Sequence, residues 1–285
     1  MKRIGFYPNL EKDFELSITK KMISFVISMG HFVSMAPEFA NYLPDMPISF
    51  SDDFWHQVDF AVVLGGDGTV LRSAHHAAFA KTPILGINLG NIGYLTDAEQ
   101  HGAKTAITKV LAGDFVTEKR MMLEANFLSG DENKRYLALN DVAISRGHHP
   151  KLFSCRMAVN GEFLDTIKGD GLIIATPTGS TAYSLAAGGP ILNPNANMIA
   201  ITPICAHCLV SRPTVVSHRD VIDISFVDIS NVTLSIDGQV IDANFAPNSN
   251  SHIQIKRSAF CTHIIKTSNH SFYQTLRMKM MTHRN

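Results

Sequence analysis

The chain carries no excess of either charge: its 285 residues hold 25 Lys and Arg against 25 Asp and Glu, for a formal net charge of +0. A protein that follows a phosphate backbone normally carries a basic excess, so the composition leaves no nucleic-acid footprint. A local basic patch could still serve a small phosphorylated ligand. No segment reaches roughly 18 uninterrupted apolar residues, which excludes a membrane-spanning helix. The opening Met1-Lys2-Arg3-Ile4-Gly5-Phe6-Tyr7-Pro8 is broken by Pro8 long before it resembles a signal peptide. Cysteine is scarce. Cys155, Cys205, Cys208 and Cys261 do not make a disulfide framework in a chain of this length. Internal repeats and low-complexity tracts are also missing. The expectation is an ordinary soluble, cytoplasmic protein, 45% hydrophobic and 18% charged, with length enough for two modest cores.

The first hundred residues alternate strand and helix signals. Residues 2–7 read as a short strand. Residues 16–29 carry Ile18, Met22, Ile23, Phe25, Val26 and Met29 near helical spacing, with Gly30 as a natural stop. Residues 31–36 read as a strand and 37–54, with several Pro and Asp, as a loop. Phe60-Ala61-Val62-Val63-Leu64 is a continuous apolar run, as expected of a parallel strand buried on both faces. A helix over 69–80 and a strand over 83–87 complete a βαβα rhythm, which argues for a doubly wound α/β domain.

The character changes after about residue 113. Short alternating segments at 135–145, 153–159, 163–167, 172–175, 221–226, 232–236 and 253–255 read as strands. Asn160-Gly161 and Asp237-Gly238 are two-residue hairpin signals. The fold class expected is α/β plus all-β: a Rossmann-like N-terminal domain, then an antiparallel β-sandwich domain. The domains are placed at 1–98, with a helical 268–285 returning to the first, and 99–267.

Three segments carry candidate chemistry. Gly65-Gly66-Asp67-Gly68-Thr69 follows the buried strand and precedes a helix. Glycines allow close backbone approach, and amides at a helix N-terminus form an anion site at the carboxyl end of a parallel strand. Asp67 would then stand beside bound phosphate; the alternative is a tight turn with Asp as helix cap. Gly169-Asp170-Gly171 opens a second apolar strand, which runs into Thr176-Pro177-Thr178-Gly179-Ser180-Thr181-Ala182-Tyr183-Ser184. Its small hydroxyls could bond a base edge or ribose and Tyr183 could stack, or the same hydroxyls could simply cap a short helix. Asn140-Asp141 is a polar pair in an otherwise apolar strand, where only one of two neighbours can face a given pocket unless the strand ends or bulges.

These segments, with Gly86-Ile87-Asn88-Leu89-Gly90-Asn91-Ile92-Gly93-Tyr94-Leu95-Thr96 and Asp237-Gly238-Gln239, occur in the order seen in bacterial NAD kinases. The resemblance covers nearly the whole chain. Gly-Gly-Asp-Gly-Thr alone also resembles the loops of lipid kinases and phosphofructokinases, whereas the Thr-Pro-Thr-Gly-Ser-Thr-Ala-Tyr block resembles the NAD kinase family alone. The resemblance implies phosphoryl transfer from ATP to the 2′-hydroxyl of the adenosine ribose of NAD, with Mg²⁺ or another divalent cation accompanying ATP. It implies Asp67 as the catalytic group, with Gly65, Gly66, Gly68 and Thr69 holding the ATP phosphates. It implies NAD contacts from Asp67, Gly68, Asn140, Asp141, Lys151, Lys168, Asp170, Thr178, Thr181, Ala182, Tyr183, Ser184, Leu185, Ala186 and Gln239. A homodimer or homotetramer is implied, with neither nucleic acid nor membrane as partner.

The chain departs from the family pattern at Asp141, where Glu is common, and at Ala206 and Cys208. Cys205-Ala206-His207-Cys208 lacks the second ligand pair of a structural zinc site. His75-His76 and His148-His149 read as structural or solvated. A lipid kinase with the same loop would need a basic amphipathic anchor, and none is evident. A non-catalytic NAD(P) sensor would need the loop but not Asp67.

Overall fold

The computed structural model describes residues 1–90, 93–129, 132–147, 152–207, 211–226, 232–241, 251–268 and 271–282. The chain forms two compact units, Met1–Lys119 with Cys261–Asn285, and Arg120–Phe260.

The first unit is a parallel sheet with helices. β1 (Arg3–Pro8) is followed by α1 (Ser17–Ser28), β2 (Phe32–Met35), β3 (Ser49–Phe50) and α2 (Phe54–Gln57). Then come β4 (Phe60–Gly65), α3 (Asp67–Ala80), β5 (Ile84–Asn88), β6 (Ala98–Glu99) and α4 (Ala103–Ala112). The strands lie in the order β3-β2-β1-β4-β5-β6, all parallel. Every residue of β4 is buried, as its unbroken apolar run requires. α1 buries Thr19, Met22, Ile23 and Val26, a stripe at helical spacing. α3 buries mainly small residues, among them Ala74, Ala77 and Ala78, so it can lie close to the sheet. Residues 37–54, expected to be loop, hold a 3-10 helix at Pro37–Tyr42 and the short β3. Phe39 and Leu43 from that segment join the core.

α4 follows residue 98, yet it belongs to the first unit. Its Ala103, Ala106, Ile107 and Val110 pack into the parallel-sheet core beside Ile265. The drop in helical periodicity near residue 113 therefore marks the change of unit more closely than residue 98 does. Residues 261–267 also lie in the first unit, where Ile264 pairs in parallel with Ile84.

The second unit is antiparallel. Its strands are β7 (Val116–Ser129, entering from the first unit), β8 (Glu132–Ala138), β9 (Asp141–Ser145), β10 (Phe153–Val159), β11 (Glu162–Gly169) and β12 (Gly171–Ala175). A single turn of helix, α5 (Tyr183–Ala186), precedes β13 (Met198–Ile204), β14 (Thr214–Ser217), β15 (Ile222–Phe226), β16 (Thr233–Ile236) and β17 (Gln239–Ile241). β18 (His252–Lys266) then leads back, and α6 (Phe272–Thr282) follows it. One sheet runs β14-β13-β12-β9-β16-β17. In the other, β10 lies between β11 and β15, and β15 pairs with the start of β18. Alternate residues of each face a shared core: Val142, Ile144, Leu172 and Ile174 from the first, Phe153, Met157, Ile222 and Ile224 from the second. Burying each such side chain contributes about 1.5–3 kcal/mol. Both hairpin signals are turns with two successive positive φ angles, 52° and 81° at Asn160-Gly161 and 51° and 78° at Asp237-Gly238.

Candidate functional site

In the first unit the candidate site is built at the carboxyl end of β4. The chain leaves the strand at Gly65, passes through an extended Gly66 (φ −168°, ψ −171°) and opens α3 at Asp67. The first amides of a helix have no partner within it and favour an anion. Beside Gly68 nothing among the described residues lies within 4 Å of where a Cβ would stand, so among them the first turn is open. Thr69 turns inward, 2% exposed, and its hydroxyl accepts a bond from Asn9 Nδ2 at 3.1 Å.

Asp67 is held in place by the chain 27 and 28 residues further on. Its Oδ2 accepts from the Tyr94 amide at 2.7 Å and its Oδ1 from the Leu95 amide at 2.9 Å. A Cβ on Gly93 would collide with Asp67 Oδ1 and stand 2.6 Å from Cγ. The segment that supplies these amides is itself fastened. Asp97 accepts from the Thr267 amide, the Thr267 hydroxyl and the Ser268 hydroxyl at 2.8, 2.6 and 3.0 Å. Lys266 Nζ donates to the Thr96 carbonyl at 2.9 Å. From α6, Lys279 Nζ lies 3.9 Å from Asp67 Oδ2 and 4.4 Å from the centre of the Tyr94 ring. Burial, and then the Asp67 charge, push the Tyr94 hydroxyl above its ordinary pKa. A cavity of about 360 Å³ opens here, lined by Asn88, Gly93, Thr96, Asp97, Lys266 and Met278 among others.

The second unit brings most of its candidates together at one end of β12. Residues 135–145, expected as one strand, are interrupted: β8 ends at Ala138 and β9 starts at Asp141. Asp237 makes the interruption stable. Its carboxylate accepts from the amides of Leu139, Asn140 and Asp141 at 2.8, 2.7 and 3.1 Å. The carbonyls are matched by Thr176, whose hydroxyl donates to Leu139 O at 2.6 Å and whose amide donates to Asn140 O at 2.8 Å. Gly179 lies so close that a Cβ there would collide with Asn140 O and stand 2.7 Å from its Cα. Asn140 and the Thr178–Ala186 turn are thereby neighbours. Asp141 is 3% exposed. Burial, and then the Asp237 charge, push its carboxyl up to about 7.

Within the turn, Tyr183 and Leu185 are 47% and 38% exposed, and Ala186 is exposed with them. Ala182 is half-buried, and Thr181 donates to the Thr178 carbonyl at 3.1 Å. Thr178 is 6% exposed, and its hydroxyl has no partner among the described residues. Ser184 is different: it is fully buried and its hydroxyl shares a bond with Thr202 at 2.9 Å. Its carbonyl accepts from the Gly189 amide at 2.8 Å, so Ser184 braces the turn and does not face a ligand. Gln239 is exposed at the start of β17. Lys168 and Asp170 stand at the opposite end of β12, roughly 20 Å of strand away. Lys168 is exposed. Asp170 meets Arg146 Nε at 2.6 Å, and that hydrogen bond holds its carboxyl below the usual range. Lys151, Asn91, Ile92, His148, His149 and Cys208 lie outside the described residues.

Sequence reasoning missed the partners of Asp67. The clustering of Gly90 and Gly93 after a buried strand was a signal for a close backbone approach. Nothing in the local pattern pointed to Asp97, Lys266 or Lys279.

Residues 17–115 match the family model of the ATP-NAD kinase N-terminal domain, and 139–267 that of the ATP-NAD kinase C-terminal domain. The chain is 38% identical over 288 residues to the NAD kinase of Caldanaerobacter subterraneus subsp. tengcongensis, covering 98% of this chain and 99% of that one. It is 35% identical over 283 residues to the NAD kinase of Natranaerobius thermophilus, covering 98% of each. Among solved structures, yeast NADH kinase complexed with NADH superposes with a TM-score of 0.87 at 25% identity, over 99% of this chain and 88% of that one. An NAD kinase from Archaeoglobus fulgidus in complex with ATP shares the fold, with a TM-score of 0.75 at 23% identity, over 96% and 98% of the two chains.

Proposed function

The chain belongs to the ATP-NAD kinase family and is a phosphotransferase, and from that premise we propose that Asp67 orients the 2′-hydroxyl of NAD for attack on the terminal phosphate of ATP. The observation that carries this role is the carboxylate itself. It stands at the mouth of the phosphate loop with each oxygen fixed by one backbone amide, and each oxygen keeps a lone pair for a hydroxyl.

Phosphoryl transfer passes through a loose transition state, so positioning and charge neutralisation dominate. A carboxylate is a weak base toward an alcohol, and orientation of the attacking oxygen matters at least as much as removal of its proton. Gly66 and Gly68 hold the ATP phosphates where α3 opens, while Gly65 and Thr69 build the turn: the Thr69 amide donates to the Gly66 carbonyl at 2.9 Å, and a Cβ on Gly65 would collide with the Thr69 hydroxyl. Asn140, Asp141, Thr178, Thr181, Ala182, Tyr183, Leu185, Ala186 and Gln239 bind NAD, and Ser184 braces the turn through Thr202 and Gly189; Lys168 and Asp170, at the far end of β12, stand apart from that group. Tyr183, exposed beside the polar turn, suits stacking on a base.

Among the described residues no group of three or more His, Cys, Asp or Glu is placed to hold a metal ion. The divalent cation of this reading, Mg²⁺, would arrive with the nucleotide. Bound with ATP, it would neutralise charge on the phosphate oxygens. The same reading makes the protein a cytoplasmic enzyme of NADP biosynthesis, working as a homodimer or homotetramer. No helix among the described residues is long and apolar enough to cross a membrane.

The test is to incubate the purified protein with NAD, ATP and Mg²⁺ and to read NADP with an NADP-specific dehydrogenase. Asp67→Asn should lose about 10²–10⁴-fold in rate, on the order of 3–5 kcal/mol in barrier. A loss under about tenfold would remove Asp67 from this role.

A further inference from the structure

Residues 9–13 lie against the phosphate loop, and none of the sequence motifs includes them. β1 ends beside β4, with Pro8 opposite Leu64, so the chain leaving β1 emerges at the same edge of the sheet. Asn9 ties it down. Its amide donates to the Leu64 carbonyl at 2.8 Å, and its Nδ2 donates to the Thr69 hydroxyl. Its Oδ1 accepts from the amides of Glu11 and Lys12 at 2.9 and 3.2 Å, an Asx turn. Asp13, 1% exposed, then accepts from the Ile18 and Thr19 amides and the Thr19 hydroxyl at 2.8, 2.9 and 2.6 Å. The backbone of Lys12 is therefore held on both sides.

Its side chain turns back over the loop. Lys12 Nζ lies 3.0 Å from the point where a Cβ on Gly66 would stand and 3.9 Å from the same point on Gly90. Asn88 Oδ1, at 3.7 Å, is the other atom within 4 Å of that Gly66 position among the described residues. No carboxylate among those residues takes up the Lys12 charge in an ion pair. The loop meanwhile contains an acidic side chain of its own, Asp67. The partial positive charge of one helix N-terminus, about half a unit, does not offset both that carboxylate and a polyphosphate. A cation has to come from elsewhere, and Lys12 is poised over Gly66.

We propose that Lys12 is a phosphate-binding residue, its ammonium donating to the phosphates of the nucleotide donor held on the Gly65-Gly66-Asp67-Gly68-Thr69 loop. This rests on the phosphotransferase reading above. It also gives Gly66 a second purpose, because a side chain there would crowd the ammonium.

The test is steady-state kinetics of the full-length protein and of Lys12→Met and Lys12→Arg, with ATP and NAD varied separately and melting temperatures alongside. Lys12→Met should raise the KM for ATP about tenfold or more, the loss of a charge-assisted hydrogen bond. Its KM for NAD and its melting temperature should stay near wild type, because the side chain is exposed. Lys12→Arg should recover most of the ATP affinity. An unchanged KM for ATP in Lys12→Met, or equal losses toward ATP and NAD that Arg does not rescue, overturns the proposal and leaves the kinase reading standing. No NADP from the wild type overturns both.

Discussion

The space that a side chain on Gly93 would fill is the space that the Asp67 carboxylate occupies. Two segments far apart in the sequence thus fit only because one of them has no Cβ. Gly93→Ala should push the carboxylate off the Tyr94 and Leu95 amides and lower kcat about a hundredfold, the usual consequence of roughly 1 Å of misplacement. The phosphate-binding amides of α3 are not displaced, so the KM for ATP should move far less. The check is a kinetic comparison of the variant with the wild type; a Gly93→Ala protein with wild-type kcat would show that Asp67 does not need this position.

Lys279 sits near enough to Asp67 to share its charge, yet both side chains are about a third exposed, at 32% and 31%. Such a pair contributes at most about 1 kcal/mol. Lys279→Met should therefore reduce kcat by no more than about fivefold, and Lys279→Arg should restore it. A loss comparable to that of Asp67→Asn would mean that the lysine takes part in the transfer itself.

Asp141 links stability to pH. Burial and the neighbouring Asp237 raise its folded-state pKa from 3.8 to about 7. The folded protein therefore favours the protonated acid. Its contribution is present below the unfolded value and is lost as pH rises through about 7. Asp141→Asn cannot ionise, so its stability relative to wild type should improve between pH 5 and pH 8 by on the order of 2 kcal/mol. Thermal unfolding of both proteins at the two pH values measures this. A difference that does not change with pH would place the ionisation of Asp141 elsewhere.

Local patterns made some of this structure legible. The unbroken run 60–64 suited a strand covered on both faces, and the two glycines after it announced the turn into α3. Asn160-Gly161 and Asp237-Gly238 announced hairpins because few other pairs accept two positive φ angles in succession. What stayed hidden depends on contacts between distant residues. The polar pair Asn140-Asp141 hinted at an end or bulge in the alternating pattern of 135–145, but the carboxylate that satisfies the broken backbone, Asp237, is distant in sequence. Nothing in α4 says which unit it joins, since its apolar stripe would suit any core. The burial of Ser184 follows from Thr202, a partner on β13. Lys12 belongs to no motif, and its position becomes meaningful only once β1 and β4 are side by side.

Asp97 also bears on the order in which the protein can be made. The residues that fasten the segment holding Asp67 are Lys266, Thr267 and Ser268, and they leave the ribosome after the whole antiparallel unit has been translated. The phosphate loop is synthesised early, but the groups that steady its carboxylate arrive near the end. Translation therefore yields a nucleotide loop well before it yields the means to aim Asp67, and a chain stopped after the second unit would carry the first without the second.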